Sequence, residues 1–260
     1  MREVNTRTIL MIHGAFVCAA MWDNWKQYFE NHGYKVVAPP WPHKTAPAVD
    51  LRRRHPDHLI ASLQLQDLVQ YYSDIASVLP EIPVIMGHSI GGLVTQLLLQ
   101  KNVGAAGIAI HPTPPPGVYT LKSMLLNARY RPLEYYMSPQ NPYLMTFPEW
   151  QRTITNGMEE SEQLWTYEKY AVPESLRILR DGSGSMARID FSRPHVPLLL
   201  MAGSEDRVTP ASLVFSNYKK YRQNGYVTQF REAPGRNHFV LGQPTWEEDA
   251  AYVLQWIRTY

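Results

Sequence analysis

The chain is poor in cysteine, in charge and in long apolar runs. Its one cysteine, Cys18, excludes an internal disulfide framework and a cysteine-based zinc site. A single thiol also fits a reducing compartment. The formal net charge is only +2, so no basic footprint of a nucleic-acid partner is present. No apolar stretch is long enough to span a bilayer. Arg2 and Arg7, followed by Ile9 to Ile12 and Val17 to Ala20, resemble the start of a secretory signal. His13 and Gly14 interrupt that run, and cleavage would remove a core strand. The expected location is cytoplasmic. What is there is an ordinary globular balance, 45% hydrophobic and 18% charged over 260 residues, which suits one large core.

The most informative stretch runs from Glu81 to Val94. Pro83 to Met86 reads as a short apolar strand, Gly87-His88-Ser89-Ile90-Gly91 as a tight turn, and Ser89 to Lys101 as a helix. The small residues let the backbone bend sharply, so that the Ser89 hydroxyl projects above the sheet. The helix aims its first amides at the same place, where negative charge is best tolerated.

The rest of the chain alternates in the same way. Thr8 to Ile12 is a buried strand, Met21 to Asn31 a helix and Tyr34 to Ala38 a strand. Pro39-Pro40-Trp41-Pro42 then opens an irregular basic loop to His58, and Leu59 to Leu79 has the pattern of one long amphipathic helix. Ala106 to Ile110 is the fourth strand. Residues 112–190 lose the rhythm, with helical segments rich in Tyr, Trp and Met between prolines, ending at the flexible Asp181-Gly182-Ser183-Gly184-Ser185. Strand, helix, strand and helix follow at Val196 to Ala202, Pro210 to Tyr221, Val227 to Glu232 and Thr245 to Arg258. Such alternation implies an α/β fold, a three-layer α/β/α sandwich on a six-stranded, mostly parallel sheet. The core is expected in residues 1–111 and 191–260, with 112–190 a helical lid inserted after the fourth strand.

Ligands of such sheets bind at the carboxyl ends of the strands. Ser89, Asp206 and His238 each fall just beyond a separate strand. A serine hydroxyl needs a base to take its proton, and His238 is the candidate. The base needs an acceptor on its other nitrogen. Asp206 is preferred over the adjacent Glu205 for its place in Gly203-x-x-Asp206-x-x-x-Pro210. Acyl transfer also needs donors for an oxyanion. The Ile90 amide is expected as one, and the Ala15 amide, ahead of Phe16, as the other.

At these residues the sequence resembles the α/β-hydrolase family over nearly the whole chain. The resemblance rests on His13-Gly14, Gly87-His88-Ser89-Ile90-Gly91, Gly203-x-x-Asp206 and Asn237-His238-Phe239. It implies a nucleophile elbow, a Ser89–His238–Asp206 triad, a two-amide oxyanion hole and a helical lid. The start of the chain looks most like the small esterase, hydroxynitrile-lyase and cofactor-free haloperoxidase branches. Two features depart from the family: the usual N-terminal hairpin is expected to be absent, and Pro39-Pro40-Trp41-Pro42 replaces the usual loop after the second strand.

The implied activity is a serine hydrolase of carboxylesterase or lipase type, acting on a small, apolar or aromatic ester without cofactor or metal, as monomer or homodimer. A lyase or perhydrolase on the same scaffold is the alternative, and a ligand-sensing receptor that keeps the triad is a third reading. A lyase of this kind needs a cation over the pocket, and Lys122 and Lys169 are the candidates. His13 and His88 are expected to be structural, His111 to face either the pocket or the core, Cys18 to be a buried hydrophobe, and Arg52-Arg53-Arg54-His55 to be a solvated loop. Phe16, His111, Trp150, Trp165 and Phe239 are the candidate substrate residues. The other lid aromatics are Tyr119, Tyr130, Tyr135, Tyr136, Tyr143, Phe147, Tyr167 and Tyr170.

Overall fold

A computed structural model describes residues 6–119, 140–221 and 225–260. Six strands form one parallel sheet: β1 (Thr8–Ile12), β2 (Lys35–Val37), β3 (Val84–His88), β4 (Ala106–Ile110), β5 (Leu198–Gly203) and β6 (Thr228–Ala233). Their order is β2-β1-β3-β4-β5-β6. The chain therefore reverses its direction of travel across the sheet between β2 and β3, and β1, β3 and β4 lie at the centre, fully buried.

Side chains alternate across the sheet, and that period builds two cores. Ile9, Met11, Val84 and Met86 face Trp22, Trp25 and Phe29 and the C-terminal helix residues Val253, Trp256 and Ile257. Leu10, Ile12 and Ile85 face the other side, against Leu68, Tyr72, Leu93 and Leu97. The helices on the first face are α1 (Asp23–Asn31) and α10 (Trp246–Thr259), and those on the second are α4 (Leu65–Val78) and α5 (Ile90–Gln100). A smaller cluster packs β5 against α9 (Ala211–Tyr221) through Leu198, Leu200, Val214 and Tyr221.

Two expectations about the connection after β2 need correction. The basic loop contains a short helix, α2 (Ala48–Arg53), and the expected long helix is two helices. Asp57 caps α3 (His58–Ser62) by accepting from the Leu59 amide. Leu63 then turns to extended backbone, and Gln64 and Asp67 form a reciprocal capping box that starts α4. The Pro39–Trp41 segment is fixed by the Tyr72 and Tyr71 hydroxyls, which donate to the Pro39 and Pro40 carbonyls.

Between β4 and β5 the described residues form α6 (Phe147–Thr153), α7 (Glu160–Tyr170) and α8 (Leu176–Gly182). This insert crosses the first turn of the fold. The Val172 amide donates to the Phe16 carbonyl at 2.9 Å, the Cys18 amide to the Tyr170 carbonyl at 3.1 Å, and Val17 bridges Ala171. Arg52 ties it to α2: its guanidinium donates to the carbonyls of Tyr167, Glu168 and Ala171 at the end of α7. That assigns the first residue of the arginine run a structural partner.

Candidate active site

The turn between β3 and α5 is built by close approach. Ser89 has φ 56° and ψ −120°, a conformation costly for any residue with a Cβ. The surroundings hold it there. The Ser89 amide donates to the Ile110 carbonyl at 3.0 Å, and the Ser89 carbonyl accepts from Gly92 and Thr113. A Cβ on Gly87 would lie 2.0 Å from the Gly91 carbonyl oxygen, and one on Gly91 2.2 Å from the Ile12 oxygen. Those two glycines are therefore required by packing. Gly14 is equally close: its added Cβ would meet the Ser89 Cβ at 2.9 Å, so the β1 turn lies directly against the serine.

His238, beyond β6, reaches this serine. Its Nε2 lies 3.0 Å from Ser89 Oγ, and its Nδ1 lies 2.8 Å from Asp206 Oδ2. With its Nδ1–H donating to the carboxylate, His238 has Nε2 left to accept from the hydroxyl. Neighbours fix the imidazole from both sides in sequence. Asn237 donates to the Asn156 carbonyl and accepts from the Phe239 amide, and Phe239 also donates to the Ile154 carbonyl.

Asp206 is almost completely enclosed, whereas the adjacent Glu205 is exposed. Its Oδ1 accepts from the Val208 and Thr209 amides, both at 2.8 Å. Its Oδ2 accepts from His238 and also from His111 Nδ1 at 2.8 Å, with the Thr209 hydroxyl at 3.0 Å. Burial pushes this carboxyl up, but His238 and His111 outweigh burial and hold it well below the usual carboxylate range. His111, one of the candidate substrate residues, is thus a partner of the acid. Its backbone has φ 46°, and nothing in the sequence signalled the pairing.

His111, Asp206 and His238 are also the one group among the described residues whose donor atoms lie close enough, within 4.8 Å, to hold a metal ion. Both Nδ1 atoms stand at hydrogen-bond distance from the same oxygen, and His238 Nε2 is on Ser89. The nitrogens that would have to bind an ion are thus already engaged in hydrogen bonds.

Two more histidines beside the site, His88 and His13, are held as neutral rings. His88 donates from Nε2 to the His238 carbonyl at 2.9 Å, and burial, with the nearby His238 and His111, drives its pKa well below the ordinary value. His13 donates from Nδ1 to the Gly14 carbonyl, accepts the Trp41 amide on Nε2, and stacks on the Trp41 ring at 4.6 Å. Burial, then the charge of Lys44, lowers its pKa to about 3. Cys18 is buried, and burial raises its thiol pKa.

The remaining donors lie in the β1 turn and at the start of α5. The Phe16 amide is taken by Glu174 Oε2 at 3.1 Å. The Ala15 amide has no protein acceptor among the described residues. The Ile90 amide is the first of α5, where intrahelical acceptors are lacking. The candidate substrate residues divide. Trp150 and Phe239 pack on each other, with ring centroids 6.2 Å apart, and Phe16 meets Tyr143 edge-on. Trp165 stands apart, 54% exposed, against Lys169 and Tyr170. Lys122, Tyr130, Tyr135 and Tyr136 lie outside the described residues.

The fold and this strand-end arrangement define a class, and comparison with known proteins agrees. The chain belongs to the alpha/beta hydrolase family, whose profile matches residues 9–250. No curated protein matches it by sequence. Among solved structures it is similar to the monoacylglycerol lipase of Paleococcus ferrophilus, at 17% identity and TM-score 0.67, covering 97% of this chain and 94% of that one. It is also similar to an Arabidopsis methylesterase, at 16% identity and TM-score 0.66, over 97% of this chain and 99% of that one. Tomato methylketone synthase I, solved with 2-tridecanone, superposes at TM-score 0.69 and 15% identity, over 98% and 99% of the two chains. Identities this low establish a shared fold.

Proposed function

We propose that this chain is a serine hydrolase that cleaves a carboxylic ester, or a related acyl bond, of a small apolar or aromatic substrate. The observation that carries the reading is the hydrogen-bonded line from Ser89 Oγ through His238 to Asp206, beside the unpartnered Ala15 amide and the first amide of α5. Ser89 attacks the carbonyl carbon while His238 Nε2 takes its proton. Asp206 holds the ring and offsets the charge of the imidazolium. The oxyanion rests on the Ala15 and Ile90 amides. His238 then protonates the leaving alcohol, and a water deprotonated by His238 releases the acid from Ser89.

The insert between β4 and β5 is read as a lid. Its aromatic content suits an apolar substrate part; Trp150 and Phe239 are buried against each other, whereas Trp165 is exposed. The lipase and methylesterase among the similar structures support ester chemistry on this frame. Among the described residues no cation favours the lyase. Lys169 lies over the Trp165 and Tyr170 rings at 4.6 and 5.0 Å, and Lys44 is bound to Glu174.

A series of p-nitrophenyl esters of increasing acyl length, with Ser89→Ala as the blank, tests the reading. Turnover by the wild type and none by the variant is expected. Equal turnover by both, or cyanohydrin cleavage without ester turnover, would overturn it.

A further inference from the structure

Lys44 and Glu174 form an ion pair in which neither side chain is exposed. Burying two charges is expensive, and apolar replacements are often no less stable, so such a pair needs a reason beyond stability. Burial lowers the Lys44 pKa and Glu174 opposes it. The geometry around Glu174 supplies the reason. Its Oε2 accepts from Lys44 Nζ and from the Phe16 amide at 3.1 Å, and its Oε1 accepts from the Ser175 amide at 2.8 Å. Its own backbone exchanges two 2.8 Å hydrogen bonds with Tyr143, which anchors it within the insert.

The acceptor of the Phe16 amide is therefore brought from 158 residues away in the chain. Phe16 is one of five non-glycine residues with positive φ among the described residues, at 65°. Both of its peptide groups are held by the insert: the amide by Glu174, the carbonyl by Val172. Lys44 comes from a third element, the loop after β2, and sits over Trp41, which stacks on His13 at the head of the same turn.

We propose that Glu174, neutralised by Lys44, is a positioning residue for the oxyanion site. It occupies the Phe16 amide and holds Phe16 in its left-handed turn, leaving the Ala15 amide as the free donor of the turn that abuts Ser89. The insert thus sets the oxyanion geometry as well as covering the site. This inference rests on the serine-hydrolase reading above.

Two double variants separate positioning from mere structure. K44M/E174Q removes both charges and keeps a carbonyl acceptor for the Phe16 amide. K44M/E174L removes the charges and the acceptor. Active sites are counted by fluorophosphonate titration, and kcat per titrated site, KM for p-nitrophenyl acetate and Ki for a trifluoromethyl ketone are measured. The ketone's hemiketal oxyanion uses the same donors. K44M/E174Q should keep more of the wild-type kcat and ketone affinity than K44M/E174L, because its one carbonyl oxygen can still serve the Phe16 amide, at the cost of its NH2 facing the Ser175 amide. K44M/E174L should lose about 10- to 100-fold in kcat and in ketone affinity, less than outright loss of a donor, with KM within roughly twofold. Equal kcat per site and equal Ki in the two variants would overturn the proposal. A wild type with no titratable serine would remove it together with the hydrolase reading, so the wild-type titration shows which has failed. Hydrogen exchange on the wild type gives a test that does not depend on the variants folding: the Phe16 amide should be protected and the Ala15 amide not, and the reverse order overturns the proposal.

Discussion

Replacing Asp206 by Asn should disable His238 while leaving its position intact. The carboxylate receives two backbone amides on Oδ1 and two imidazoles on Oδ2, with the Thr209 hydroxyl beside the latter. An asparagine has one acceptor oxygen and one donor nitrogen. With its oxygen toward Val208 and Thr209, its NH2 meets both Nδ1 atoms, and each ring must turn acceptor there. His238 then carries its proton on Nε2, facing Ser89 Oγ, and can no longer take the serine proton. With the amide flipped, the NH2 faces two backbone N–H groups that cannot move. The first arrangement costs less, so the fold survives with the wrong tautomer. Other serine triads lose about 10⁴-fold in kcat on this change, or roughly 5.5 kcal/mol of transition-state stabilisation. Steady-state turnover of p-nitrophenyl butyrate at pH 8 measures it, and circular dichroism confirms folding. A folded variant with less than a tenfold loss would refute this account of the acid.

Three further outcomes follow from the same geometry. Gly91→Ala places a methyl carbon 2.2 Å from the Ile12 carbonyl oxygen, so the variant should lose about 2 kcal/mol or more, read as a fall in thermal midpoint and soluble yield. His13 and His88 are neutral in the fold because burial, aided by nearby charge, depresses their pKa values, His13 to about 3. Below about pH 6.5 the unfolded chain therefore binds more protons than the folded one, and each ring removes about 1.4 kcal/mol of stability per pH unit, for His13 down to about pH 3. Urea midpoints between pH 7.5 and pH 5 should fall accordingly and flatten in His13→Asn. Arg52→Ala frees the carbonyls of Tyr167, Glu168 and Ala171, costs about 1 kcal/mol, and should open the α7–α8 connection to limited proteolysis before the core.

The central sheet was legible because its signals are local. β1 and β4 lie at the residues their β-branched and apolar runs predict, and the α5 turn follows from glycines at fixed offsets. The placement of Asp206 and His238 just beyond β5 and β6 was legible because each closes a strand–turn pattern. The break in the helix after α2 was also written locally, in Asp57 and in the Gln64–Asp67 box, but the apolar period of Leu65 to Val78 masked it. What could not be read is long-range. Glu174 and Lys44 lie 130 residues apart, and neither stands in a motif. Arg52 looked like a solvated charge because its carbonyl partners are more than a hundred residues away. His111 follows an apolar strand as an ordinary polar residue would, and only the closeness of β4 to β5 brings it to Asp206.

The central claim is that Ser89 is the nucleophile and His238 its base. A fluorophosphonate reaction followed by peptide mass spectrometry tests it most directly. One adduct per chain is predicted, on the peptide that carries Ser89, with esterase activity lost in step with labelling and no adduct in His238→Ala on the same timescale. An unlabelled Ser89 in a fully active protein, or full labelling without His238, would contradict it.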